Sequence, residues 1–285
     1  MKKIKLDAYA KINLSLDVLG KRENGYHELS MIMQQIDLKD IISITEISEQ
    51  NKIIINSNNP RVPLDSTNIV YKAWEILSNR YDINKGTCID IQKNIPLAGG
   101  LAGGSTDAAA VLKGLNELWN LQLTDKELMD MSLEIGSDIP FCIMGGTALA
   151  EGIGEKLTPL KSFSGKYILI ANPGVEVSTA YVYKNLDIKS IKERPNIKNI
   201  IEYIDNDNIN SLAKEMKNVL ETVTIDKYPI INEIKSDMID KGAIGSLMSG
   251  SGATVFGIFD DKDKLNYCKR NLEEKIETVI ATKTI

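Results

Sequence analysis

The chain has 285 residues, of which 43% are hydrophobic and 26% charged, the balance of a folded globular protein. At that length one large domain or two ordinary ones bury about three quarters of the unfolded surface, so no disulfide or metal staple is required. Basic side chains number 34 against 39 acidic ones, a net charge of −5 with no basic run, which excludes the electrostatic footprint of a nucleic-acid binder but not the binding of small anions.

From Ile4 to Val18 every even position is apolar, and the odd positions carry Lys5, Asp7, Tyr9, Lys11, Asn13, Ser15 and Asp17. This period of two predicts a long strand with one face on a core and with Lys11 and Asn13 side by side on the other. A turn is expected at Asn24-Gly25, followed by β-rich segments over Met31–Ile47 and Lys52–Asn56. Asp65-Ser66-Thr67 then read as the cap of a helix whose apolar stripe is Ile69, Val70, Ala73, Trp74 and Leu77. Thr87–Lys93 alternates as a strand and runs into a glycine-rich stretch, after which Ala108, Val111, Leu112, Leu115, Leu118 and Trp119 mark one face of a second helix. Thr124 with Glu127 forms a capping box, and the helix it opens is expected to stop at Gly136. Cys142–Ala150 and Tyr167–Ala171 read as buried strands. The weakly patterned Lys161–Lys166 suggests a boundary between domains 1–160 and 161–285. Beyond it, helices are expected around Asn196–Ile204 and Ile230–Lys241, then a Gly/Ser turn at Gly245–Gly252 and a strand Ala253–Phe259. A final helix over Asp261–Lys275 and an edge strand over Thr278–Thr284 complete the reading.

The main chemical signal is the strand, glycine-rich loop and helix at Ile89–Trp119. Glycines let backbone N–H groups converge, and a helix N-terminus adds its positive end, so the unit predicts a cradle for a di- or triphosphate. Gly99 and Gly104 have P-loop spacing, but Ser105-Thr106 follow where that motif needs lysine, and no G-x-G-x-x-G register fits. Positive charge must come from another part of the chain, with Lys11 and Lys93 the nearest candidates by layout. Asp138 lies between a helix stop and Pro140, where a new helix begins. There it is either an N-cap carboxylate or, because a helix N-terminus favours the charged form, an acceptor for the proton of a substrate hydroxyl. Ser249-Gly250-Ser251-Gly252, in a run of small residues, is either a tight turn or a second clamp on the same anion.

His27 is the only histidine, so zinc sites and histidine triads lack their raw material. Next to Tyr26 and after a turn, it is either a solvated residue or half of a pair that stacks on and hydrogen-bonds a planar base. Cys88, Cys142 and Cys268 are scattered and read as reduced, space-filling thiols. With no apolar targeting segment after Met1-Lys2-Lys3 and no long apolar run, the expectation is a soluble cytoplasmic protein without a membrane partner.

The stretch Pro96-Leu97-Ala98-Gly99-Gly100-Leu101-Ala102-Gly103-Gly104-Ser105-Thr106 resembles the phosphate loop of the GHMP small-molecule kinases. The likeness extends to Ala8–Leu14, Gly25–Leu29, Ser137–Phe141 and Met248–Gly252. It implies an α+β fold of two domains, one N-terminal and ribosomal-protein-like, one C-terminal and ferredoxin-like, with ATP and substrate in the cleft between them. By position it makes Asp138 the base for the substrate hydroxyl and Lys11 the group that orients it and stabilises developing charge. Pro96–Thr106 would wrap the ATP phosphates, and Lys93, Asn68 and Asp107 would line the adenosine end. Tyr26-His27 with Lys11 and Asn13 selects the branch whose substrate is a cytidine-diphosphate-linked methylerythritol, phosphorylated on its tertiary 2-hydroxyl in the non-mevalonate route to isoprenoids. Tyr26 and His27 would hold the cytosine, with Asn13 and Thr179 near the methylerythritol. Mg²⁺ is implied by the ATP, with Ser105 or Thr106 as its protein ligand. Ala98 and Ala102 stand where some members have glycine, and Asp107 where some have asparagine. Three alternatives stay open: a GHMP kinase for mevalonate, homoserine or galactose; a nucleic-acid-binding module, which the charge opposes; and a nucleotide-binding regulator without turnover.

Overall fold

The protein is described by a computed structural model covering residues 2–285. The long alternating segment forms β1 (Lys3–Lys21), and the Asn24-Gly25 turn leads into β2 (His27–Gln50) and β3 (Ile53–Ser57). Next come α1 (Ile69–Arg80), β4 (Lys85–Gln92), α2 (Gly103–Leu118), α3 (Asp125–Ser132) and α4 (Ile139–Met144). Three strands follow, β5 (Thr147–Gly152), β6 (Lys156–Pro159) and β7 (Tyr167–Asn172). A helical run holds α5 (Thr179–Asn185), α6 (Ile197–Asp205), α7 (Ile209–Glu215), α8 (Glu221–Lys227) and α9 (Ile230–Asp240). The chain ends in β8 (Gly245–Met248), β9 (Val255–Phe259), α10 (Lys262–Glu273) and β10 (Thr278–Lys283).

Two compact units result, and neither is a single stretch of chain. The first holds the residues up to Ala10, Leu38–Ile95 and Ala102–Gly145; the second holds Lys11–Asp37, Pro96–Leu101 and Gly146–Ile285. In the first unit β4 pairs antiparallel with the later part of β2 and parallel with β3, placing Ile42 opposite Ile91 and Ile44 opposite Ile89. These isoleucines bury one face of the sheet against Val70, Leu77, Val111 and Leu115 of α1 and α2, while Asp90 and Gln92 on the opposite face are exposed. Ala108, Ala109 and Ala110, all buried, let α2 approach its neighbours closely.

In the second unit the early part of β2 pairs with β5, and β5 with β6. A separate four-stranded antiparallel sheet has the order β10-β7-β9-β8. Numbered within that sheet, the order is fourth, first, third, second, with helices between β7 and β8 and between β9 and β10: the ferredoxin-like arrangement. Its inner strands β7 and β9 are buried on both faces, which is why Ile168–Ala171 and Val255–Phe259 read as apolar runs without alternation.

Several expectations need correction. The cap of α1 is Asn68, whose side chain accepts from Val70 N–H; Asp65 instead closes a local turn onto Thr67. The helix opened by the Thr124–Glu127 capping box, itself present, ends at Ser132 and not at Gly136. Cys142–Met144 belong to α4, because Pro140 sets a helical start that the apolar run alone could not reveal. Gly245–Met248 is strand β8, paired with β9, and only Ser249–Gly252 turns. Lys11, Asn13, Ser15 and Asp17 lie off the apolar face of β1 as expected, yet all are buried, so both faces of that stretch are covered. Burial pushes the Cys268 thiol up to about 11, consistent with an inert, space-filling role. No helix of the described residues is long and apolar enough to cross a membrane.

Candidate active site

Between β4 and α2 the backbone takes positive φ at Ala98 (51°), Gly100 (73°) and Ala102 (58°) but not at Gly99 or Leu101. That alternation of hand is the pattern of a nest, which turns successive N–H groups towards one point. Two of the three left-handed residues are alanine, a conformation costing roughly 1–2 kcal/mol each. The nest leads into α2, whose N-cap Ala102 offers no side-chain cap. The first helical bond there is Thr106 N–H to Ala102 O at 2.9 Å, so the N–H groups of Gly103, Gly104 and Ser105 have no helical acceptor. An uncapped helix start after a nest offers unpaired N–H groups of the kind that suit a polyphosphate. Thr106 is buried and its hydroxyl donates to Tyr9 O at 2.7 Å. Ser105 is half-buried in the first turn, and its hydroxyl makes no side-chain hydrogen bond among the described residues.

Lys93 and Asp107, expected at the adenosine end, turn their charges into the interior of the first unit. The Lys93 ammonium donates to Asp40 and to Asp107 Oδ2, the latter at 2.6 Å, and all three side chains are buried. Asp107 Oδ1 is buried without a partner. Burial first, and then the Asp40 carboxylate, outweigh the Lys93 ammonium and push the Asp107 carboxyl up to about 8. A carboxyl raised in the fold holds a proton there that the unfolded chain releases near pH 4, so stability declines as pH climbs from about 4 to about 8. Asp107→Asn, isosteric with the protonated acid, removes this loss. Its melting temperature should gain on the parent progressively over that window, reaching roughly 5 °C or more by pH 8. Parallel curves for the two proteins from pH 5 to 9 would contradict the assignment. Asn68, the third adenosine candidate, is buried too: its Oδ1 caps α1 and its Nδ2 donates to Pro63 O.

Asp138 is at the N-cap position of α4 but accepts no capping hydrogen bond from that helix. The N-cap reading of this residue therefore lacks its hydrogen bond to α4. Its side chain is half-buried.

In the second unit the Lys11 ammonium donates to Asn13 Oδ1 at 2.7 Å and to Gly100 O at 3.2 Å. The same carbonyl accepts from Ser249 Oγ at 3.0 Å, which joins the nest, the clamp and the lysine. Asn218, buried, shapes the clamp: its Nδ2 donates to Met248 O and Gly250 O, and its Oδ1 accepts from Leu220 N–H. Gly250 and Gly252 have φ of 58° and 92°. The Thr179 hydroxyl lies 2.8 Å from Ser251 Oγ. At the hairpin closed by Gly25, Tyr26 is 59% exposed, and the His27 ring rests 5.0 Å from the ring of Tyr183 at 31°. Burial, then the Lys21 ammonium, holds the His27 imidazole below its ordinary value. A neutral ring keeps one donor and one acceptor, as reading the edge of a base requires.

Sequence reading missed Asp40, Asn218 and Tyr183. Asp40 did leave a signal: it occupies the inward position of β2 shared by Ile36, Leu38, Ile42 and Ile44. The other two lie in segments of no clear periodicity.

The family described as "GHMP kinases N terminal domain" matches residues 68–146, and "GHMP kinases C terminal" matches residues 196–278. A 4-diphosphocytidyl-2-C-methyl-D-erythritol kinase of Clostridium botulinum (strain Loch Maree / Type A3) is 51% identical over 278 residues, covering 98% of this chain and 99% of its own. A protein of the same description from Caldicellulosiruptor bescii is 51% identical over 281 residues, covering 99% of this chain and 98% of its own. A crystal structure of 4-(cytidine 5'-diphospho)-2C-methyl-D-erythritol kinase superposes with a TM-score of 0.83 at 28% identity, over 99% of both chains.

Proposed function

The chain belongs to the GHMP kinases, among the 4-diphosphocytidyl-2-C-methyl-D-erythritol kinases, and on that premise we propose how its residues divide the reaction. It transfers the γ-phosphoryl group of ATP to the 2-hydroxyl of 4-diphosphocytidyl-2-C-methyl-D-erythritol, giving the 2-phosphate and ADP, a step of the non-mevalonate isoprenoid pathway. The observation that carries the kinase reading is the nest of residues 98–102 leading into the uncapped start of α2.

Asp138 accepts the proton as the O–H bond of the substrate breaks and its oxygen bonds to the γ-phosphorus. The bond from that phosphorus to the β,γ-bridging oxygen breaks, and ADP leaves with the electron pair. Lys11 counters the charge that develops, its ammonium being fixed by Asn13 and the Gly100 carbonyl. Pro96–Thr106 wrap the phosphates, the donors being backbone N–H groups between Leu97 and Ser105, with Ser249–Gly252 as second clamp. Ser105 or Thr106 would hold the Mg²⁺ that accompanies the nucleotide and neutralises phosphate charge; no cluster of metal-ligating side chains occurs among the described residues. Lys93, Asn68 and Asp107 serve the adenosine end through the backbone they brace. Tyr26 and His27 read the cytosine, and Asn13 and Thr179 bind the methylerythritol portion. The N-terminal domain (1–160) carries the ATP site, the C-terminal domain is 161–285, and the enzyme works in the cytoplasm on a small molecule.

The test is ADP release with Mg²⁺ and ATP, comparing the cytidylyl substrate with mevalonate, homoserine and galactose. Release is expected with the cytidylyl compound alone. Tyr26→Ala and His27→Ala should each raise its KM about 10-fold or more while leaving the KM for ATP nearly unchanged, since a stacked or hydrogen-bonded base contributes about 1–3 kcal/mol. Release with another alcohol would retain the kinase chemistry and overturn Tyr26 and His27 as base readers.

A further inference from the structure

We infer that Asp40 is a positioning residue for ATP, fixing both ends of the phosphate loop from beneath. The inference rests on the reading of Pro96–Thr106 as that loop. Asp40 is fully buried on the apolar face of β2. One of its oxygens accepts from the backbone N–H groups of Asn94 and Ile95, the last two residues before Pro96. The other accepts from the Lys93 ammonium, which reaches onward to Asp107 one turn into α2. That ammonium lies 3.3 Å from where a Cβ on Gly103 would be, directly under the helix start. Asn58 pairs with both backbone groups of Lys93, and Asn94 Nδ2 donates to Lys39 O, so the strand exit is anchored from neighbouring strands as well. The loop's entry at Ile95 and its exit at Gly103 are thereby joined through one buried carboxylate and one ammonium.

This arrangement has a functional consequence. A nest binds phosphate only while its N–H groups converge, and their convergence depends on the separation of the loop's two ends. Without Asp40 the two N–H groups before Pro96 lose their acceptor, and Lys93 keeps only Asp107. The entry at Asn94 and Ile95 then loses its tie to the ammonium under the exit, which is held from the strand only through Lys93 and Asp107. A buried charge left with half its partners also shifts its neighbours. ATP affinity should suffer first, and recognition of the alcohol substrate, which uses other residues, should not.

The experiment measures binding of a fluorescent ATP analogue, the KM for ATP, the KM for the cytidylyl substrate and the melting temperature in Asp40→Ala, Asp40→Asn and Gly104→Val. A Cβ at position 104 meets only Ile69, at 3.4 Å, so Gly104→Val should fold while obstructing the loop. Asp40→Ala is expected to weaken ATP binding about 10-fold or more, with the alcohol KM within about twofold. Asp40→Asn keeps an acceptor for Asn94 and Ile95 and should recover part of the loss; it carries the test if Asp40→Ala does not fold. Equal rises in both KM values, or ATP binding like the parent's, would overturn the positioning role. If Gly104→Val also binds ATP normally, the phosphate-loop reading itself fails and the inference falls with it. Loss of binding in Gly104→Val alongside normal binding in Asp40→Ala overturns the positioning role alone.

Discussion

Asp138→Asn is expected to lower kcat by about 10²- to 10⁴-fold while ATP affinity stays within about twofold of the parent. The substitution keeps size and shape while removing the negative charge and the capacity to take up a proton. Because the Asp138 side chain does not cap α4, the helix loses no capping hydrogen bond of its own. A carboxylate that merely closed a helix would behave in the opposite way: asparagine is as good a cap as aspartate, so turnover would survive. Single-turnover measurements of ADP formation at saturating ATP separate the two cases. Turnover within about threefold of the parent would remove Asp138 from proton transfer and return the reaction to positioning and charge neutralisation alone. It would also revive the alternative of a nucleotide-binding regulator only if the parent itself released no ADP.

The parts of this site that could be read from sequence are those encoded by near neighbours. The alternation from Ile4 to Val18 placed Lys11 and Asn13 together, and their side chains are in hydrogen-bonding contact. Glycines followed by a helical stripe located the nest and the start of α2, and Thr124 with Glu127 located the start of α3. Contacts made across the chain were silent. Asp40, the first of Lys93's two partners, lies 53 residues away, and the two carbonyls that Asn218 organises lie about 30 residues from it. Periodicity also failed where neither face meets water. The apolar run from Cys142 fits a strand as well as a helix, and only Pro140 decides for α4. Helices α5, α7 and α8 have seven residues each, two turns, too few to establish a stripe. Asp40 shows what a stricter reading could have extracted, because a carboxylate in register with Ile36, Leu38, Ile42 and Ile44 must find a buried cation.

Gly100→Ala tests whether nest, clamp and lysine work as one device, and it is expected to be among the most damaging single-methyl changes in the chain. Its φ of 73° already sets a cost of roughly 1–2 kcal/mol for any other residue. Space makes matters worse: the added Cβ would lie 2.1 Å from Ser249 O and 3.0 Å from its carbonyl carbon. Both are backbone atoms, so no rotamer change relieves the contact, and either the loop or the clamp must move. The Gly100 carbonyl accepts from both Lys11 and Ser249, so any movement of residue 100 also takes from the Lys11 ammonium one of its acceptors, leaving it Asn13. ATP binding and kcat should therefore fall together, kcat/KM by about 10²-fold or more. Gly146 provides the control, since its φ is 68° but nothing lies within 4 Å of its Cβ position. Gly146→Ala should show the conformational cost alone, a drop of a few degrees in melting temperature with kinetics intact. Should Gly100→Ala do no more harm than Gly146→Ala, the clamp would not be packed against the loop as the structure describes, and Asn13 alone would suffice to place the Lys11 ammonium.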